Sequence, residues 1–194
     1  MDRATLKSMA KSQIKGNIGI LFLITLVMDA IILACSFVPV VGTVSIVVLG
    51  SAFTFALSGI YLNLTSGVKP EISDAFSQIK NFWPAFKVTF LISLFTYLWS
   101  LLLVIPGIIK ACSYSQAIFI LAENPSMGAR GAINQSKRMM EGHKMEYFVL
   151  CLSFIGWAIL ASFTFGLLYI WLMPYMYTTY ANFYKSLKAT PVVE

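Results

Sequence analysis

One carboxylate stands where carboxylates are costly. Asp29 is the single ionisable residue between Ile18 and Val38, a stretch otherwise built almost entirely of apolar and small side chains. Insertion scales put the cost of such a group near a helix centre at about 2.5 kcal/mol or more. A residue kept at that cost should face protein or water, and the chemistry open to it is binding a proton or a cation. A carboxylate near the outer interface, or one held neutral by a hydroxyl of another helix, fits the same residues, and no histidine or second acid lies in an apolar stretch to relay a proton. Lys110, just beyond Pro106-Gly107, is the one basic residue expected on the outer side. It can pair with Asp29 or a lipid phosphate, or simply extend its ammonium to the interface. Tyr114 completes this candidate intramembrane polar site.

Other chemistry has less foothold. The three cysteines, Cys35, Cys112 and Cys151, lie in or beside apolar segments with no metal or redox spacing. The lone His143 has no cysteine or second histidine nearby, so no metal site and no cofactor is expected. No paired carboxylates and no Ser, His and Asp set suggest catalysis, and the chain is expected not to be an enzyme. Lys137, Arg138, His143 and Lys144 form a basic patch, readable as a site for anionic lipid headgroups or a protein partner, or as a solvated cluster that sets topology.

The elements that must position these groups follow from composition. A chain of 194 residues, 58% hydrophobic and 11% charged with mean hydropathy +0.79, carries more apolar surface than a soluble domain could bury. Crossing a bilayer as a helix takes about 20 apolar residues. Candidate spans lie at about 18–38, 42–64 and 86–105. A short span is expected at 107–122, after the Pro106-Gly107 break, and the long block 147–184 divides near Thr164 and Gly166. Glu123, Asn124 and Pro125 should stop one helix and start the next. The reading is an all-α, polytopic membrane protein with about six transmembrane helices and amphipathic interfacial helices. With an inner N-terminus, this topology puts all but Lys110 of the 14 basic residues inside. The expected location is the cell membrane, multi-pass, with both termini cytoplasmic.

Three inner segments are amphipathic. In the first, Leu6, Met9, Ala10 and Ile14 share a face while Arg3, Lys7, Lys11 and Lys15 form a basic stripe suited to an anionic leaflet. In the second, Pro70 and Glu71 open a helix with Ile72, Ala75, Phe76 and Ile79 on its apolar face. In the third, Ser126 is expected to cap a helix that Gly142 ends. Ala10-Lys-Ser-Gln-Ile-Lys15 recurs as Ala75-Phe-Ser-Gln-Ile-Lys80 and loosely as Ala132-Ile-Asn-Gln-Ser-Lys137, each before a pair of apolar spans. One integral membrane domain, 1–194, built from three hairpin units at about 1–66, 67–123 and 124–188, is the expected organisation. Convergence of short amphipathic helices on Ala, Gln and Lys is the competing explanation.

The run Ile105-Pro-Gly-Ile-Ile-Lys110, with Ser113-Tyr-Ser-Gln-Ala117 and Ile120-Leu-Ala-Glu-Asn-Pro125, resembles a family of bacterial membrane proteins, common in Gram-positive bacteria, known as domain of unknown function nine seven five. Gly142-His-Lys144, Phe148 to Trp157, and the N-terminal Leu6-Lys7 with Lys15-Gly16-Asn17 extend the resemblance over nearly the whole chain. It implies a compact helical membrane domain and brings no activity. More distantly, the layout looks like the membrane domain that accompanies some glycerophosphodiester phosphodiesterases. No soluble catalytic part is present in this stretch, so no phosphodiesterase activity is implied.

Two functions are compatible with these residues. One is a non-enzymatic accessory or envelope-associated protein that uses its inner face to bind lipid, a protein partner or a second copy. The other is a small transporter or lipid-handling protein with a polar cavity around Asp29. Nucleic acid is not an expected partner of either.

Overall fold

The computed structural model describes residues 2–36, 39–77, 82–102, 104–164 and 166–189. Among them the secondary structure is helical, with no strand. The order is α1 (Arg3–Ile14), α2 (Ile18–Ser36), α3 (Pro39–Thr65), α4 (Ile72–Ser77), α5 (Phe82–Leu102), α6 (Val104–Tyr114), α7 (Ala117–Glu123), a 3-10 turn (Pro125–Met127), α8 (Gly128–Met139), α9 (Lys144–Phe163) and α10 (Tyr169–Ala189). Helices are the form that satisfies backbone polar groups within one segment, as an apolar surrounding requires. Among the described residues, four stretches are long and apolar enough to cross a membrane: Ile18–Cys35, Val47–Thr65, Ile105–Glu123 and Lys144–Phe163. That is fewer than the six expected. One reason lies in α10, which is 21 residues long but rich in Tyr and interrupted by Thr178, Thr179 and Asn182. Its polar groups are turned into protein: Thr178, Thr179, Asn182 and Ser186 are buried, and the Thr179 hydroxyl donates to Tyr175 O at 2.7 Å.

Burial separates an inner from an outer set. In α3, 61% of the apolar stretch is buried inside the protein; in α2 and α9 only 17% is. The inner set is α3, α7 and α10. α3 packs on both α7 and α10, and rings interlock between them, with Tyr61 stacked on Tyr177 at 5.3 Å and Phe119 on Tyr184 at 5.8 Å. Around them α2 packs on α3 and α10, α5 on α3 and α6, and α9 on α6 and α10. The outward sides of α2 and α9 leave Leu26, Leu33, Ile159 and Phe163 exposed. Apolar surface on this scale fits association with a membrane.

The amphipathic segments pack differently from the sequence expectation. In α1, Leu6, Ala10 and Ile14 are buried at helical spacing, with α10 and α3 against the helix, while Met9 is exposed. The face expected to rest on lipid is therefore occupied by protein, and burying Leu6 and Ile14 contributes roughly 1.5–3 kcal/mol each. In α8, Ala129, Ala132 and Ile133 are buried, with α7 and α5 as neighbours. α4 packs on α3, yet its Ile72 and Phe76 stay exposed; Ile79 and Lys80 lie outside the described residues. Ser126 does not cap α8. A 3-10 turn intervenes, and the Ser126 hydroxyl bonds Asn124 Oδ1 at 2.6 Å instead. Gly142 ends the turn after α8 at φ +80°, and Gly166 joins α9 to α10 at φ +84°, a region that favours glycine.

Candidate functional site

Asp29 lies on the side of α2 that borders two grooves. One, of about 230 Å³, lies between α2, α3 and α10 and includes Phe53, Tyr61 and Tyr177; the other, of about 190 Å³, includes Phe22, Gly166 and Tyr169. Thr25, Asp29 and Met173 border both, so the grooves meet at the carboxylate. Thr25 and Asp29 share a helix face because they are one turn apart. Gly166 places the Asp29 end of the trough near the α9–α10 turn. The carboxylate is exposed, and no hydrogen bond or ion pair engages it among the described residues. Thr25 does not supply one, since its hydroxyl donates to Leu21 O at 2.9 Å.

Lys110 and Tyr114 do not join Asp29. Lys110, on α6, holds its ammonium 4.7 Å from the centre of the Trp99 ring of α5. Tyr114, the last residue of α6, is buried, with the Lys137 ammonium 5.6 Å from its ring centre. One member of the expected intramembrane site thus meets one member of the basic patch. A cation at the C-terminal end of α6 is also favoured by the helix dipole.

The helix boundary lies just before the expected break, for α5 ends at Leu102 and α6 begins at Val104. Pro106 and Gly107 lie in the first turn of α6, where a proline costs no intrahelical bond. A second break, not expected from the sequence, divides the 107–122 segment at Ser115–Gln116, between α6 and α7. The break is held by Ser136 of α8, whose buried hydroxyl donates to Ser113 O at 2.8 Å and accepts from the Gln116 N–H at 3.2 Å. Gln116 is fully buried; its side-chain amide donates to Ser115 Oγ at 2.9 Å. α7 ends at Glu123, Asn124 follows as its C-cap, and Pro125 opens the 3-10 turn.

The basic patch is spread over the α8–α9 corner. Arg138 is exposed, and His143 Nδ1 stands 3.3 Å from Glu146 Oε2. Lys144, at the start of α9, borders an open groove of about 440 Å³ between α6 and α9, whose other walls are Ile105, Ile108, Ile109, Cys112, Met145 and Phe148. Ile105 and Met145 are about 70% exposed, at 72% and 69%, so these walls face outward from the fold.

A third polar cluster was not anticipated. The C-terminal ends of α3, α7 and α10 are tied by side chains: Asn182 Nδ2 donates to Gln13 Oε1 at 2.7 Å, and Gln13 Nε2 donates to Thr65 O at 3.5 Å. Lys185 donates to Ser66, while Glu123 accepts from the Tyr184 hydroxyl and the Lys188 ammonium, both at 2.7 Å. Lys7 donates to Ser153 O at 3.4 Å above the Phe154 ring, and burial, then nearby Arg3, lowers its pKa below the ordinary lysine value. Gln13 belongs to the recurring Ala-Lys-Ser-Gln-Ile-Lys segment, which could have drawn attention to it. The partners, Asn182 and Thr65, carry no such signal.

A family model described as Protein of unknown function (DUF975) matches residues 1–113 and 101–191. No curated protein matches the chain. No solved structure matches it either.

Proposed function

From the premise that the chain belongs to this family of unknown function, we propose that it is a multi-pass protein of the cell membrane with a non-enzymatic, accessory role, in which the α8–α9 corner holds an anionic phospholipid. The groove between α6 and α9 carries this reading. Its apolar walls suit an acyl chain, each buried methylene contributing about 0.8 kcal/mol. Lys144 at its edge, followed by His143, Arg138 and Lys137 back along the chain, suits a head of net negative charge rather than a zwitterionic one. A basic residue near an anionic surface contributes about 1 kcal/mol. The distribution of lysine and arginine supports both termini on the cytoplasmic side.

The test is lipid retention. The protein is reconstituted in mixed phosphatidylglycerol and phosphatidylcholine, extracted in mild detergent, and weighed intact by native mass spectrometry. Wild type should keep phosphatidylglycerol in excess over its bulk share, and Lys144→Ala should lose about fivefold of that preference, the equivalent of about 1 kcal/mol. Ile109→Trp, which fills the groove and leaves the charge, should displace the lipid as well. Retention in bulk proportion by wild type would remove the lipid site. The small-transporter alternative is favoured by one observation, the meeting of two grooves at Asp29.

A further inference from the structure

We propose that the trough at Asp29 is a binding site for a hydrophobic organic cation, one whose positive charge is carried by a quaternary or delocalised centre. The first ground is charge. Asp29 keeps an exposed carboxylate in an apolar helix with no counter-ion among the described residues, so its complement has to come from outside the described chain. The second is the wall chemistry. Tyr177, half-buried and backed by the buried Tyr61 ring stacked on it at 5.3 Å, borders one arm, and the half-buried Tyr169 borders the other. Aromatic faces attract cations that come within about 6 Å of the ring centre, and they do so most strongly when water is excluded. The third is adaptability. Met173, at the junction of the arms, has an unbranched, polarizable side chain that fits ligands of irregular shape.

The same features argue against other occupants. A calcium or magnesium ion needs six or more oxygen ligands, whereas Asp29 is the lone carboxylate among the described residues that border the two grooves. An anion would meet the carboxylate directly. A neutral apolar molecule would leave that charge uncompensated. A bulky cation with apolar substituents satisfies both the charge and the walls, and neither arm is closed, so it can enter from the side. The proposal does not rest on the lipid site at the α8–α9 corner, because the two use different helices and opposite charges.

The experiment compares two ions of nearly equal shape and opposite charge, tetraphenylphosphonium and tetraphenylborate. Binding is measured by equilibrium dialysis to the full chain in phosphatidylcholine nanodiscs, with empty discs subtracted; the absence of anionic lipid keeps the outcome separate from that of the lipid reading. Saturable binding of the phosphonium at one site per chain is expected, with none for the borate. This comparison needs no variant. Asp29→Asn should weaken phosphonium binding at least tenfold, Asp29→Glu less than threefold, and Tyr177→Leu about fivefold with the carboxylate retained. Equal binding of the two ions, or unchanged affinity in a folded Asp29→Asn protein, would overturn the proposal.

Discussion

The trough at Asp29 and the helix junctions inside the bundle treat polar groups in opposite ways. At the junctions polar side chains meet complements within the chain: Asn182 with Gln13, and Glu123 with Tyr184 and Lys188, at the C-terminal ends of α10 and α7, and Ser136 with Ser113 O and the Gln116 N–H at the α6–α7 break. At the trough, Asp29 stands among rings and methionines with no partner among the described residues. Matched groups hold helices together and lose stability when removed. An unmatched charge contributes nothing to the fold and carries a solvation cost, so its retention points outward, to something that binds. The difference teaches which polar residues of this chain to read as architecture and which as a site.

The comparison can be broken most severely at Ser136. Ser136→Val removes one hydroxyl but orphans two buried backbone groups, Ser113 O and the Gln116 N–H, and should cost about 3 kcal/mol. Unfolding in detergent, followed by circular dichroism, reads this; a loss within about 0.5 kcal/mol would mean the break between α6 and α7 is held by other contacts. Asn182→Leu should cost less, about 1–2 kcal/mol, because Gln13 can regain water at the end of α1. Its sharper readout is proteolysis, since α1 freed from Asn182 should be cut faster at Lys7 and Lys11. Asp29→Asn lies at the other end of the scale: removing an unpaired charge should leave the melting temperature unchanged or raised. A clear fall would show that Asp29 belongs with the matched groups.

These contrasts were unevenly legible in the sequence. The long helices were, because a run such as Ile18 to Val38 admits no other regular form in an apolar medium, and Gly142 and Gly166 mark their turns through a backbone conformation that glycine favours. The break at Ser115–Gln116 was not. Pro106-Gly107 marks the start of α6, where a proline fits the first helical turn, but the group that stabilises the second break is a hydroxyl on another helix. The amphipathic helices showed which face was apolar but not what would cover it. Leu6, Ala10 and Ile14 suit a bilayer and α10 equally well by composition. Asp29 announced itself as a lone acid, yet its aromatic walls come from α3 and α10, far along the chain, and only tertiary packing brings Tyr61 onto Tyr177.

The claim beneath both sites is that the chain crosses the membrane, with the α8–α9 corner on the inner side and the α9–α10 turn on the outer. It is tested most directly by labelling single cysteines, in a background lacking Cys35, Cys112 and Cys151, with a membrane-impermeant maleimide on intact cells. Leu167, 70% exposed beside the Gly166 turn, and Glu141, exposed in the turn after α8, flank α9 at its two ends. Leu167→Cys should react in intact cells and Glu141→Cys only after permeabilisation. Reaction of both in intact cells, or the reverse order, would contradict the account.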